Sequence, residues 1–221
     1  MVNSELPSKI QIQTHQLNKQ ENFTLNDTPV KTDETDPDAE PLSEFYLFLS
    51  LTMRYPDVDF FTEEFLDTYE NLLAGLELLE EQKSIHACRK KDENLLQTLR
   101  VEYTRLFINA VPHVIAPPYA SIYRDGDHDL QGKTTEQTRD FYRENGYDIS
   151  DSSELADHIC FELEFLAALA RDGKFDKEEQ FLKKLFRPWF NKFRDQVLAE
   201  TIHPYYSVSV QLIDFFTKKD G

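Results

Sequence analysis

Glu154, His158 and Glu162 recur at intervals of four, with Asp157 and Glu164 beside them. On a helix that interval puts the three on one stripe, two carboxylates flanking an imidazole. Such a group suits two roles: the polar edge of a groove that takes a ligand, or a charge stripe satisfied by solvent or by the protein itself. Zinc binding asks for more. His158 and Glu162 at i and i+4 supply two ligands, but His113, His128 and His203 are scattered and neither cysteine stands in a paired ligand motif.

Other candidate chemistry is weaker. Asp157-His158 reverses the order of the metal phosphohydrolase dyad and lacks its accompanying His and Asp stations. A metal-dependent or nucleotide hydrolase centred on Asp157, His158 and Glu162 is therefore the alternative reading. Gly126 to Thr134 runs Gly-Asp-His-Asp-Leu-Gln-Gly-Lys-Thr, with five residues between its glycines where a phosphate loop needs four, and no buried strand precedes it. A turn at Gly132 and a helix cap at Thr134 or Thr135 explain the same residues. Ser121 lies in no nucleophile elbow. Pro117-Pro118-Tyr119 makes a rigid bend, and Tyr119 and Tyr123 are rings with a polar tip, suited either to a core or to walls that grip a peptide.

The elements that must hold these residues have helical periodicity. Ser43 and Glu44 open a first helix before Phe45, Phe48 and Leu49, and Tyr55-Pro56-Asp57 closes it. A second, from near Thr62, carries Phe65, Leu66, Tyr69, Leu72 and Leu73 on one face; a third carries Leu95, Leu99, Tyr103 and Leu106 and stops before Pro112. From Pro112 to Lys133 an irregular connection follows, long enough to be functional. Helix resumes at Thr134 or Thr135 and ends at Gly146. The next starts after Asp151, with Glu154 as capping-box partner, and is apolar on most sides. Lys177 to Phe186, Trp189 to Ala199 with Pro188 at its start, and a last helix from Pro204 complete the set. No solenoid repeat and no convincing run of strands is present, so the fold class is all-α, a single-domain helical bundle.

Residues 42–221 form that domain, and residues 1–41 read as a polar acidic tail, expected to be flexible, with one short alternation at Ile10-Gln11-Ile12-Gln13. The 221 residues hold 24 Lys+Arg against 41 Asp+Glu, a net charge of −17, which disfavours nucleic acid and anionic membrane surfaces and suits a cationic peptide. The same charge also serves solubility alone. Seventeen Phe and ten Tyr put many rings into a core or a groove. Two cysteines, Cys88 and Cys160, argue against a disulfide framework. With no membrane span and no apolar signal region near Met1, the expected location is the cytoplasm.

Taken in order, several segments resemble the TorD/DmsD/NarJ family of redox-enzyme maturation chaperones. They are Glu102-Tyr103-Thr104-Arg105-Leu106-Phe107, Ala116-Pro117-Pro118-Tyr119-Ala120-Ser121-Ile122-Tyr123, Gly132-Lys133-Thr134-Thr135 leading to Phe141-Tyr142-Arg143-Glu144-Asn145-Gly146, and Glu154-Leu155-Ala156-Asp157-His158-Ile159 followed by Glu162-Leu163-Glu164-Phe165-Leu166. The Pro-Pro-aromatic-x-Ser-x-Tyr piece is similar to the TorD/DmsD branch. Leu155 stands where the family commonly has Pro, and Asn109-Ala110 where Gly often follows Leu-Phe.

The resemblance implies a TorD-like helical fold that is not an enzyme. It implies as partners the twin-arginine leader and the apo form of a molybdopterin oxidoreductase of the DMSO-reductase family, held until cofactor insertion, a function belonging to anaerobic respiration. A peptide-binding set follows: Tyr119, Ser121, Tyr123, Glu154, Asp157, His158 and Glu162, with rings under the leader's apolar stretch, the carboxylates on its Arg pair, and His158 ordering them or responding to pH. No nucleic-acid partner, no stable membrane insertion and no resident cofactor is expected. Guanine nucleotide is a secondary ligand by resemblance alone, and the chain is a monomer or a domain-swapped dimer.

Overall fold

The computed structural model describes residues 23–25, 39–110, 113–126, 131–149 and 154–218. Ten α-helices dominate them: α1 (Ala39–Thr52), α2 (Glu63–Gly75), α3 (Leu79–Lys91), α4 (Leu95–Tyr103), α5 (Ala120–Arg124), α6 (Lys133–Glu144), α7 (Ile159–Arg171), α8 (Phe175–Phe181), α9 (Arg187–Glu200) and α10 (Pro204–Thr217). Two of them, α4 and α8, run on into single wide π-turns at Thr104–Ile108 and Leu182–Phe186. The all-helical expectation is met, with one addition. Strands β1 (Phe23–Leu25) and β2 (Tyr147–Ile149) pair antiparallel, Phe23 opposite Ile149 and Leu25 opposite Tyr147. The segment read as a tail thus contributes backbone hydrogen bonds to the fold. Ile10-Gln11-Ile12-Gln13 lies outside the described residues.

The core is organised on α1 and α7, which pack along one another. Every residue of α7 from Ile159 to Ala170 is buried, as its two apolar faces require. Cys160 Sγ of α7 donates to Ser50 O of α1 at 3.4 Å, Phe48 of α1 meets Phe65 and Tyr69 of α2, and Tyr142 of α6, Phe165 of α7 and Phe181 of α8 meet tilted or edge-on at 4.3–5.9 Å.

Several boundaries move for local reasons. α1 starts at Ala39, before Ser43, because Pro41 falls in the first turn where an N–H has no helical partner anyway. α3 has no counterpart in the periodicity reading: Ile85 alone of its residues is buried, so it has no stripe. Glu80 and Glu81 in its first turn and Arg89, Lys90 and Lys91 in its last match the helix dipole instead. The 112–133 connection contains the short helix α5. Thr134 does not cap α6; Gly132 is the cap residue, and the Asp125 carboxylate accepts hydrogen bonds from Thr134 N at 2.9 Å and from its hydroxyl. An acidic group thereby occupies the helix end that a phosphate would need. α2 begins near Thr62, which caps it, and Gly146 at φ +88° follows α6, as expected; Pro188 instead stands just after a π-turn in a helical run unbroken from Phe175 to Glu200, so it opens no separate helix.

Candidate functional site

The helix expected from Asp151 begins at Ile159, eight residues later. Backbone pairing is the cause. Ala120 N donates to Asp157 O at 3.0 Å and Ile159 N to Pro118 O at 2.9 Å, making an antiparallel bridge between Tyr119 and His158. Extended backbone there cannot continue a helix, so Glu154 and Asp157 precede α7 and the single stripe of Glu154, His158 and Glu162 does not form. The two loops meet instead as a crossing of Pro118–Ser121 over Asp157–Ile159; Asp157 and His158, neighbours on extended backbone, leave it on opposite sides, while Ser121 is already in the first turn of α5.

On the outer side lie Tyr119, His158 and Glu154. The Tyr119 hydroxyl donates to Glu154 Oε2 at 2.7 Å, and the Tyr119 ring meets the His158 ring edge-on at 5.0 Å. His158 is the N-cap of α7: its Nδ1 accepts from Cys160 N at 3.2 Å, which leaves the ring proton of the neutral form on Nε2. Burial, ahead of the opposing pull of Glu154, lowers the His158 pKa to about 4. The imidazole therefore favours the neutral form around pH 7.

These three residues open onto a cavity of about 430 Å³. Its apolar wall is Tyr55, Phe60, Tyr103, Phe107 and Phe161, with Tyr103 meeting Tyr55 at 5.4 Å and Phe107 at 4.9 Å. Asp57 and Asp59 line it from the loop between α1 and α2. Arg54 lies at the same cavity, paired with the buried Glu164. A second cavity, of about 490 Å³ between the starts of α2 and α4, is more polar, and its Arg89 is already held by Glu63, Asp67 and Glu70.

On the inner side lie Ser121, Asp157 and Glu162, each fully buried. Asp157 Oδ2 accepts from Ser121 N at 2.7 Å, tying the start of α5 to the start of α7. Trp189 Nε1–H donates to Glu162 Oε2 at 2.9 Å. Burial, with Asp157 nearby, pushes the Glu162 carboxyl well above its ordinary range, so it favours the neutral form. These groups brace the interior, and among the described residues Ser121 Oγ, Asp157 Oδ1 and Glu162 Oε1 are buried there without a hydrogen-bond partner. Tyr123 is also elsewhere: its ring stacks on Trp189 at 5.6 Å and its hydroxyl donates to Gln196 Oε1 at 3.0 Å, in the α5–α9 contact.

The expected set thus divides, with Tyr119, Glu154 and His158 at the cavity and Ser121, Tyr123, Asp157 and Glu162 behind it. Nor does the alternative hydrolase centre assemble. Asp157, His158 and Glu162 point to different partners, and among the described residues no group of three or more His, Cys, Asp or Glu is placed to hold a metal ion. Sequence reasoning missed Arg54, Tyr55, Asp57, Asp59 and Phe60. Their only signal was a Tyr-Pro-Asp turn, which marks a helix end and says nothing about what the loop faces.

The fold is all-helical, with a ring-walled, acid-edged cavity at a loop crossing. The chain belongs to the family described as nitrate reductase delta subunit, whose model matches residues 63–195. It is 32% identical over 118 residues to the Tat proofreading chaperone DmsD of Salmonella paratyphi A, covering 52% of this chain and 57% of that one. To the chaperone protein TorD of Vibrio vulnificus it is 24% identical over 135 residues, 56% of this chain and 62% of that one. The match therefore spans less than two thirds of these relatives' length. The crystal structure of an Archaeoglobus fulgidus protein assigned as a redox enzyme maturation protein superposes with a TM-score of 0.57 at 28% identity, covering 85% of this chain and 99% of that one. The TorD/DmsD/NarJ resemblance is thereby established as family membership.

Proposed function

We propose that the chain is a maturation chaperone and not an enzyme: it binds the twin-arginine leader of a molybdopterin-containing oxidoreductase, its apoenzyme or both, until cofactor insertion is complete. The observation that carries this reading is the cavity of about 430 Å³ whose rings offer apolar area while Glu154 stands at its edge. A leader combines adjacent arginines with an apolar stretch. Its apolar part lies against Tyr55, Tyr103, Phe107 and Phe161, and a guanidinium reaches Glu154. The names of the family relatives, proofreading chaperone and TorD chaperone, support the same activity. Among the described residues no helix is long and apolar enough to cross a membrane, which agrees with a partner met in solution.

The test is fluorescence anisotropy with a labelled synthetic leader peptide. Replacing its two arginines by glutamine is expected to weaken binding by about fivefold or more, since two charge-assisted contacts worth ~1–2 kcal/mol together are lost. Glu154→Gln should reproduce part of that loss and leave the thermal midpoint unchanged. Equal affinity for both peptides contradicts the reading.

A further inference from the structure

The cavity has two sides that come from different parts of the chain. Tyr119, Glu154 and His158 lie within residues 63–195, the segment matched by the family model, whereas Asp57 and Asp59 lie in the α1–α2 loop outside it. That loop is firmly held. Tyr103 OH donates to Met53 O at 3.3 Å, Arg100 Nε to Pro56 O at 2.8 Å, and Phe61 N to Asp57 O at 2.8 Å. Asp59 N donates to Asp57 Oδ1 at 3.0 Å. The two carboxylates are thus carried on a preorganised turn, and a ligand that meets them has little ordering to impose.

Their charge is not used up within the protein. Asp59 is exposed and makes no ion pair among the described residues, where the ion pair of Asp57 is with Arg100 Nη2 at 3.6 Å. The guanidinium at the cavity itself, Arg54, is neutralised by Glu164. Three carboxylates therefore edge a ring-walled recess, those of Asp57, Asp59 and Glu154. A separate observation also points to a ligand: His158, which lines this recess, is 8% exposed, and among the described residues its Nε2 has no hydrogen-bond partner, Glu154 Oε2 lying 3.9 Å away.

We propose that Asp57 and Asp59 are the second half of the cation-reading edge, so that the basic side chains of a bound peptide are held between the α1–α2 loop and Glu154 while its apolar residues lie on the rings between them. This rests on the peptide-binding reading above and adds to it the residues that set selectivity for positive charge. The occupant is a peptide with clustered Arg or Lys next to an apolar run, since carboxylates on both sides of an apolar floor disfavour an acidic or a uniformly apolar segment.

The experiment compares wild type with the double variant Asp57→Asn, Asp59→Asn, which keeps side-chain oxygens for the turn. Two probes are used: a synthetic peptide with two adjacent arginines before an apolar run, and the same peptide with glutamines. The double variant is expected to bind the arginine peptide about fivefold more weakly, with a shallower dependence on salt, and the glutamine peptide within about twofold of wild type. Unchanged affinity for the arginine peptide, or equal losses for both peptides, overturns the assignment while leaving the Glu154 reading intact. Failure of wild type to bind either peptide overturns both.

Discussion

The two sides of the crossing between Pro118–Ser121 and Asp157–Ile159 are built from neighbouring residues and have opposite characters. Tyr119 and His158 face a recess, whereas Ser121 and Asp157 face a sealed interior with Glu162 and Trp189. Among the described residues both sides hold polar atoms without a hydrogen-bond partner, His158 Nε2 on the outer side and Ser121 Oγ, Asp157 Oδ1 and Glu162 Oε1 on the inner, but only the outer one borders an open recess. The inner groups are there to join helices. Residues of the same chemical type, Glu154 and Glu162, thus serve different ends because one is at an edge and the other is closed in.

If that division is right, the inner side should govern stability and the outer side affinity. Asp157→Ala removes the acceptor for Ser121 N inside the protein, and a loss of about 2–3 kcal/mol is expected in denaturant unfolding. A variant as stable as wild type would erase the distinction. His158→Ala loses the α7 cap and should cost about 1 kcal/mol, whereas His158→Asn, which keeps a capping oxygen, should cost far less. The His158 pKa is held at about 4 against an ordinary 6.5, so between those values the unfolded chain takes up a proton that the fold refuses. Its contribution to stability is therefore present above pH 6.5 and declines as the pH falls toward 4, a slope that His158→Asn should reduce.

Glu162→Gln should have the smallest effect below pH 4.5, within about 1 kcal/mol, because folded and unfolded chains then both carry a neutral carboxyl, and it should become stabilising relative to wild type as the pH rises. The sign with pH is opposite to that of His158. A raised folded pKa gives stability that is full below the ordinary 4.5 and is lost as pH rises toward the folded value, so the variant's stability curve should be flatter above that pH. Matching slopes for wild type and variant would mean that Glu162 ionises freely and is not closed in.

Legibility from sequence followed the physical origin of each feature. Helices with an apolar stripe, such as α2 with Phe65, Leu66, Tyr69, Leu72 and Leu73, could be read directly, as could the end of α6 at Gly146. α3 could not, since its single buried residue makes no period. The spacing of Glu154, His158 and Glu162 was misleading because a long-range backbone bridge, invisible in local periodicity, holds the first part extended. Tyr119 and His158 were named as site residues through family resemblance, and the structure brings them together. Asp57 and Asp59 were not named, because only tertiary packing turns a helix-ending turn into a cavity wall.

Trp189 is the single tryptophan, and its indole N–H is bonded to Glu162, which makes it a reporter for the inner side. Titrating isotope-labelled protein with a twin-arginine leader peptide and following amide and indole resonances tests the division directly. The account predicts shifts at Tyr55, Asp59, Tyr119 and His158 with the Trp189 indole unmoved. Displacement of the indole signal, with the residues around the recess unaffected, would contradict it.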